Sequence, residues 1–531
     1  MERTSVVGLF FVRYKSVPTH DEDFTVNIRV HLYILKWNNK CEIKIQNDTK
    51  SIKIKLYNLK INDTMIKSLY INVNMQIGFH VEVMMNSQFV RIESITIENF
   101  KNVRKGVLDF ENRRKKYRTS IVGLYGQNGS GKTALIDAIQ LMKYSLCGKS
   151  APNKYADYIN VEKDFATLKF QFKMKKAEET YDIWYQFSIK KVLDYSDIEG
   201  DTPAESEAKY KVQIFDEVLS FAYLSDKEKI RKNSLIDTRT AEVFVPKSKY
   251  NELLKNIDED VMELFLTKRL AQEQSRSFIF SREMMNRFRK NCKIEIYLNI
   301  LNGLSTFGNR ELFIIDTQHE GLINMNALPL AFKYKEKNSE AVGNLLLPLN
   351  KPASIPEEAT ELVKNIIDNM NIVLQQLVPG LTIGVVDLGP VVSKEGKIGR
   401  LIQLMSLKNE KAIPFQYESE GIKKIVSILQ LLIVVYNNPS ITVAIDELDS
   451  GIFEYLLGEL LNIISEKGKG QLIFTSHNLR PLETIDKGFI AFTTTNPDNR
   501  YIRMTNVKVN NNLRDFLLSG YCTGRAERTS I

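Results

Sequence analysis

A chain of 531 residues with 43% apolar and 26% charged side chains has room for two or three globular domains, and this balance excludes wholesale disorder. The net charge of +9, from 73 Lys and Arg against 64 Asp and Glu, permits an anionic partner without establishing one. The four cysteines are scattered and show no CxxC or Cys/His ligand spacing, which argues against a zinc site or a disulfide framework. The first residues, MERTSVVGLFFVRYK, hold an acid and too short an apolar run for a signal peptide. The longest apolar stretch, Ile425 to Tyr436, is too short for a membrane span. A soluble cytoplasmic protein with no membrane partner is expected.

In chain order, residues 1–88 alternate apolar and polar in short runs (FTVNIRVHLYILKW, SIKIKLYNL) and read as a β-rich accessory segment. Three strands follow, in RIESITIENFKNV, GVLDF and SIVGLYG, and lead into a glycine-rich loop. ALIDAIQLMKYSL then has the spacing of a buried helix, so 89–150 forms one part of an α/β head. Residues 151–410 read as an insertion with strands (ATLKFQFKM, TYDIWYQFSI, EVFV) and a helical lobe. Its clearest helices are NELLKNIDEDVMELFLTKRL and PEEATELVKNIIDNMNIVLQQLV, the second starting at Pro356. From 411 to 531 the alternation of helix and strand returns, as in a parallel sheet. No heptad pattern persists long enough for a long coiled coil.

Gly126-Gln127-Asn128-Gly129-Ser130-Gly131-Lys132-Thr133 fits G-x-x-x-x-G-K-[ST] between a strand and a helix that continues with Ala134, which is the context the motif needs. Its glycines let backbone N–H groups turn inward around phosphates, and the helix N-terminus adds a favourable dipole. Lys132 is then placed to bridge the outer phosphates of a nucleotide, and Thr133 to offer a hydroxyl to Mg²⁺.

The run Ile441 to Ile445 is apolar but for Thr442, as a strand buried on both faces should be, and it ends in Asp446 and Glu447. Asp446 suits the shell of Mg²⁺, and Glu447 suits a general base acting on water. Many strands end in acids; the phosphate loop is what gives this pair its meaning.

Two further tracts narrow the class. Ser419-Glu420-Gly421 opens an apolar helix, and Asp449, then QLIFT with Ser476-His477, follow the acidic pair. In this order the motifs resemble the ATP-binding-cassette fold in its SMC- and RecF-like branch. Within it, ITIENFKNV, YESEGIKKIVSIL and AIDELDSGIF are most similar to the compact ABC-type AAA ATPases of bacterial anti-phage defence systems. The resemblance covers about 89–145 and 411–485 well. It implies an ABC-type P-loop ATPase head with a mixed sheet, using ATP and Mg²⁺.

On that resemblance, Ser419 and Gly421 form the signature that caps the γ-phosphate held by a second copy. Asp449 lies in a loop at the dimer interface, and His477 contacts the γ-phosphate and water. A glutamine in the strands after the loop contacts Mg²⁺, with Gln171 and Gln186 both candidates. Ser419 also reads as an ordinary helix cap, and His477 as a core histidine. The signature lacks the Gly-Gly-Gln ending typical of transporters, and Phe453 stands where an acid or His is common.

The resemblance further implies an ATP-dependent dimer acting with a separate effector such as a nuclease or toxin, since no nuclease pattern is evident in the chain. Alternatives are a RecF-like DNA-repair ATPase and an ATP-bound scaffold with negligible turnover. Basic clusters at Arg113–Arg118, Lys227–Lys232 and Arg276–Lys290 make DNA or RNA a candidate partner. The third has Phe278, Phe280 and Phe288 interleaved, either as base-stacking groups or as core.

Overall fold

A computed structural model describes residues 7–13, 29–35, 43–48, 51–56, 88–112, 119–194, 209–254, 257–315, 327–336, 339–348, 351–357, 359–392, 398–408, 411–449, 454–477 and 485–503. The chain divides into two compact units, Met1–Ser87 and Gln88–Ile531. In the first, alternating sequences form two antiparallel hairpins. Val7–Arg13 pairs with Arg29–Leu35, and Ile43–Asp48 with Ser51–Leu56.

The second unit contains two six-stranded sheets. One is antiparallel, in the order Lys229–Asp237, Tyr210–Leu224, Glu179–Leu193, Phe165–Lys176, Phe89–Phe100, Val103–Asp109. Period-2 alternation builds it. Along Phe165–Lys176, Leu168, Phe170, Phe172 and Met174 point into the core, while Lys169 and Lys173 on the other face pair with Glu98 and Glu93 at 2.8 and 3.4 Å. The second sheet runs Leu312–Ile315, Thr442–Ile445, Gln471–Ser476, Ser120–Tyr125, Ile490–Thr493, all parallel, with Tyr501–Arg503 antiparallel at the edge. Its strands 312–315, 442–445, 471–476 and 490–493 are buried at every residue, which explains their largely apolar sequences, broken only by Thr442, Gln471, Thr475, Ser476 and Thr493.

Helix Lys132–Leu146 buries eleven of its side chains, in one core with residues of both sheets such as Phe170, Leu124 and Ile473. A helix covered on all sides needs the nearly continuous apolar sequence seen here. A second core packs helices Ala359–Leu377, Glu420–Asn437 and Glu454–Lys467 with a sheet ordered Ala353–Pro356, Ile398–Lys408, Leu381–Val392. The architecture is mixed α/β.

Several local features differ from expectation or could not be read. Strands within 151–410 share sheets with strands outside it: Phe165–Lys176 pairs directly with Phe89–Phe100, and Leu312–Ile315 extends the parallel sheet beside Thr442–Ile445. Pairing across such separations leaves no local trace in the sequence. EVFV is not a strand. Only Val245 bridges to Asp237, because Pro246 supplies no N–H to continue a ladder, while Phe244 stacks on Tyr250 at 4.6 Å. Pro356 ends the edge strand Ala353–Pro356, and the helix starts at Ala359. The upstream helix divides into Lys247–Leu253 and Ile257–Glu273, with Leu254 extended (φ −134°) between them. Arg113–Arg118, Phe453 and the C-terminal LRDFLLSG lie outside the described residues.

Candidate functional site: a phosphate loop beside an acidic strand end

Strand Ser120–Tyr125 delivers the loop, and helix Lys132–Leu146 receives it. Gly131 caps the helix in the left-handed region (φ 94°) with no side-chain cap, so the first-turn N–H groups face the loop. Gly126 passes so close to Thr493 that a Cβ would come within 1.7 Å of its Oγ1. Gln127, Asn128 and Gly129 are exposed, Thr133 is half-buried and Ala134 is buried. Lys132 Nζ donates to the carbonyls of Gly126 and Gln127, both at 2.8 Å. Burial lowers its pKa, while Asp446, Glu447 and Asp449 pull the other way.

Residues outside the motif clamp this loop. Ser130 Oγ donates to Gln127 O at 2.6 Å and lies 2.5 Å from Thr493 Oγ1, which bonds Tyr125 O at 3.3 Å. Tyr501 OH donates to Gly131 O at 2.9 Å, and the Asn102 amide donates to Gly129 O. The sequence offered no signal for Thr493 or Tyr501. Asn102 lies in the family-like tract ITIENFKNV, which was a hint without a role.

The acidic pair stands one strand away. Strand Gln471–Ser476 lies between Thr442–Ile445 and Ser120–Tyr125, with Ser476 opposite Tyr125 and Phe474 opposite Ile445. The C-terminal ends of all three strands therefore meet at the loop. Asp446 is 1% exposed. Thr475 Oγ1 donates to Asp446 Oδ1 at 2.5 Å and accepts from Glu447 N at 2.8 Å. Asp446 Oδ2 is buried with no hydrogen-bond partner among the described residues. Glu447 sits at φ 51°, a conformation that costs a non-glycine residue about 1–3 kcal/mol and persists only when its surroundings hold it. His477 N donates to Asp449 Oδ2 at 3.0 Å, and its own side chain is at an exposed position. The structure thus gathers Lys132, Asp446, Glu447, Asp449 and His477 at one end of the sheet. Thr475, which joins the two acids, had no signal in the sequence.

Ser419 caps helix Glu420–Asn437, its Oγ accepting from Ile422 N at 3.3 Å, and it is exposed. Gly421 is half-buried in the first turn. The short connection after Asn437 turns the chain back into strand Thr442–Ile445, so the helix N-terminus points to the same end of the sheet as Asp446. Gln171 is not brought to this place. It pairs with Ser94, six residues before the end of strand Phe89–Phe100, which at about 3.3 Å per residue leaves it roughly 20 Å from the hairpin end that touches the loop. Gln186 lies in the next strand of the same sheet, opposite Lys169.

Of the basic clusters, Lys227–Lys232 spans the connection between Tyr210–Leu224 and Lys229–Asp237 and the start of the latter strand, and Lys232 lies over the Trp184 ring at 4.1 Å. In the third cluster Phe278, Phe280 and Phe288 are 2%, 2% and 0% exposed, so they are core and offer no stacking platform for bases.

A glycine-rich loop opening a buried helix, one strand removed from a buried Asp and its neighbouring Glu, defines a P-loop ATPase site. Residues 91–480 match the family described as AAA ATPase domain, and the chain belongs to that family. The DNA replication and repair protein RecF of Azobacteroides pseudotrichonymphae is 37% identical over 91 residues, 17% of this chain and 22% of that protein. The SbcC component of the SbcCD nuclease of Clostridium acetobutylicum is 28% identical over 164 residues, 28% of this chain and 13% of that protein. The matches thus span less than a quarter of either relative. Among solved structures, the SMC head domain from Thermotoga maritima is similar at 14% identity, covering 78% of this chain and 100% of that one with a TM-score of 0.33. RecF bound to ATP is similar at 13%, covering 79% and 100% with a TM-score of 0.32. The family match thus makes the chain an AAA ATPase, with local sequence similarity to RecF and SbcC. Among the described residues no helix is long and apolar enough to cross a membrane.

Proposed function

We propose that the chain is an ATP-hydrolysing switch that pairs two copies around bound nucleotide. The observation that carries this reading is the Thr475 clamp, which holds Asp446 and Glu447 beside the Lys132 loop. Lys132 exchanges its two carbonyl acceptors for phosphate oxygens, a stronger charge-assisted contact. Glu447 accepts the proton of the attacking water, and His477 orients the outer phosphate.

The residues present fit Mg²⁺. Asp446 Oδ2 is a buried carboxylate oxygen lacking a partner among the described residues, and Thr133 offers a hydroxyl in the first turn of the loop helix. Mg²⁺ commonly takes one or two carboxylates together with phosphate oxygens, so the pair suffices without a larger acidic cluster. When bound, it neutralises charge on the transferred phosphoryl group.

Ser419 and Gly421 cap the nucleotide of the opposite copy, supported by the exposed N-terminus of their helix at the same end of the sheet as Asp446. Asp449 then stands at the shared boundary. The division into an accessory segment at 1–88, head parts at 89–150 and 411–531, and an intervening 151–410 belongs to this proposal. So does a cytoplasmic role in anti-phage defence, alongside a separate effector such as a nuclease. A RecF-like role on DNA is the second reading, favoured by the 37% identity to RecF over 91 residues.

The test is light scattering of Glu447→Gln with and without Mg-ATP. The expected result is a doubling of the 61.1 kDa chain mass on adding nucleotide. An unchanged monomer mass with ATP bound would overturn the pairing. ATPase stimulation by gapped duplex DNA would select the RecF-like reading.

A further inference from the structure

Away from the phosphate loop, an open cleft of about 400 Å³ lies at the far end of the same helix. It is lined by Lys149, Arg276, Arg282 and Arg289, with Asn286 and Ser305 as neutral donors, and by no acidic residue. Helix Arg282–Asn291 supplies one wall. Its positions 282, 286 and 289 share a face, while Met284 and Phe288 are buried and Ser281 caps the first turn by accepting from Met284 N at 3.3 Å. Ser150 ties the two chain segments together, accepting from Arg276 Nε at 3.2 Å and donating to Gln274 O at 2.6 Å.

The charges here lack the compensation seen elsewhere. On the antiparallel sheet, Lys169, Lys191 and Lys211 each pair with a carboxylate within 3.3 Å. In the cleft, among the described residues, the Arg276 and Arg289 side chains bond only neutral oxygens, of Ser150 and of Asn302 at 3.0 Å. The side chains of Lys149 and Arg282 have no hydrogen-bond or ion-pair partner among the described residues. The C-terminus of helix Lys132–Leu146 contributes a negative partial charge of roughly one half, which four full cations outweigh.

We propose that this cleft binds a compact oligophosphate, two or three linked phosphate groups, at a site separate from the phosphate loop. Three guanidinium forks match phosphate oxygens in bidentate fashion. A chain of two or three phosphates carries roughly as much negative charge as the cleft carries positive. The volume falls within the range of small-ligand sites, and the buried phenylalanines leave no surface on which the bases of a single strand could stack. Fifteen helical residues, about 22 Å, separate it from Lys132, so a nucleotide in the loop does not reach it.

The experiment titrates inorganic triphosphate by calorimetry into the full chain carrying Lys132→Ala, which weakens the loop, and into wild type saturated with a non-hydrolysable ATP analogue, which fills it. The expected result is one triphosphate per chain in both, weakened at least about tenfold when Arg282→Ala and Arg289→Ala are combined. Both arginines are exposed, so the melting temperature should hold. Absence of binding, or binding indifferent to the arginine pair, overturns the proposal. Cleft-dependent binding of a labelled DNA duplex that triphosphate does not displace also overturns it, in favour of a nucleic-acid face.

Discussion

Thr475 joins Asp446 to Glu447: one hydroxyl donates to the Asp446 carboxylate at 2.5 Å and accepts the Glu447 backbone N–H at 2.8 Å. That single group holds the buried acid in place and braces the left-handed backbone of its neighbour. Thr475→Val keeps the shape and removes both bonds. It is expected to cost about 1–3 kcal/mol of stability and to lower kcat with little change in KM. Thr475→Ser should restore both. Full kcat in the valine variant would show that Thr475 is only structural filler.

Lys132→Ala removes a charged donor from the loop and should weaken nucleotide binding roughly 10- to 100-fold, the equivalent of about 1.5–3 kcal/mol for a hydrogen bond to a charged group. Equilibrium binding of a fluorescent ATP analogue checks this. Glu447→Gln should bind ATP as wild type does and release phosphate about 10²- to 10⁴-fold more slowly. Wild-type turnover in Glu447→Gln would move the general base elsewhere.

Gly126→Ala places a Cβ 1.7 Å from Thr493 Oγ1 and must push that side chain off Ser130 and the Tyr125 carbonyl. Nucleotide affinity and melting temperature should both fall. Adding Thr493→Ala removes the colliding oxygen, so the double variant should lose less than the sum of the two single ones. Strict additivity in thermal melts would mean that the two residues do not share this contact.

Glu217 is fully buried, accepting from Tyr185 OH at 2.8 Å and Phe278 N at 2.6 Å, and burial raises its pKa above the usual carboxylate range despite these donors. A folded-state pKa above the unfolded one means that the folded chain holds the proton more tightly. Stability from this group is complete below about pH 4.5, the unfolded value, and falls as pH rises through the folded value. The slope is at most about 1.4 kcal/mol per pH unit. Denaturant unfolding of wild type against Glu217→Gln should show that slope only in wild type. Parallel curves across the window would refute it.

The elements most legible in the sequence are those whose chemistry is local. The eight residues of the phosphate loop are contiguous, and the spacing of their glycines is dictated by the backbone turn they must make. The run before Asp446, apolar but for Thr442, follows from burial on both faces of a strand. The helix after the loop buries eleven of its residues, most of them apolar, in one core with residues of both sheets.

What the tertiary structure alone decided depends on contacts between residues far apart in the chain. Thr493 and Tyr501 reach the loop from more than 360 positions away, and Thr475 reaches Glu447 from the adjoining strand. The pairing of Phe165–Lys176 with Phe89–Phe100 joined the middle of the chain to the strands before the loop and placed Gln171 opposite Ser94. Likewise the phenylalanines among Arg276–Lys290 proved to be core, leaving their arginines around a cleft. Hydrophobic periodicity records which face of an element is covered, and by itself it does not record what covers it. Covering partners are set by sheet order and packing, and for that reason the loop could be read from eight residues while its clamps and the cationic cleft could not.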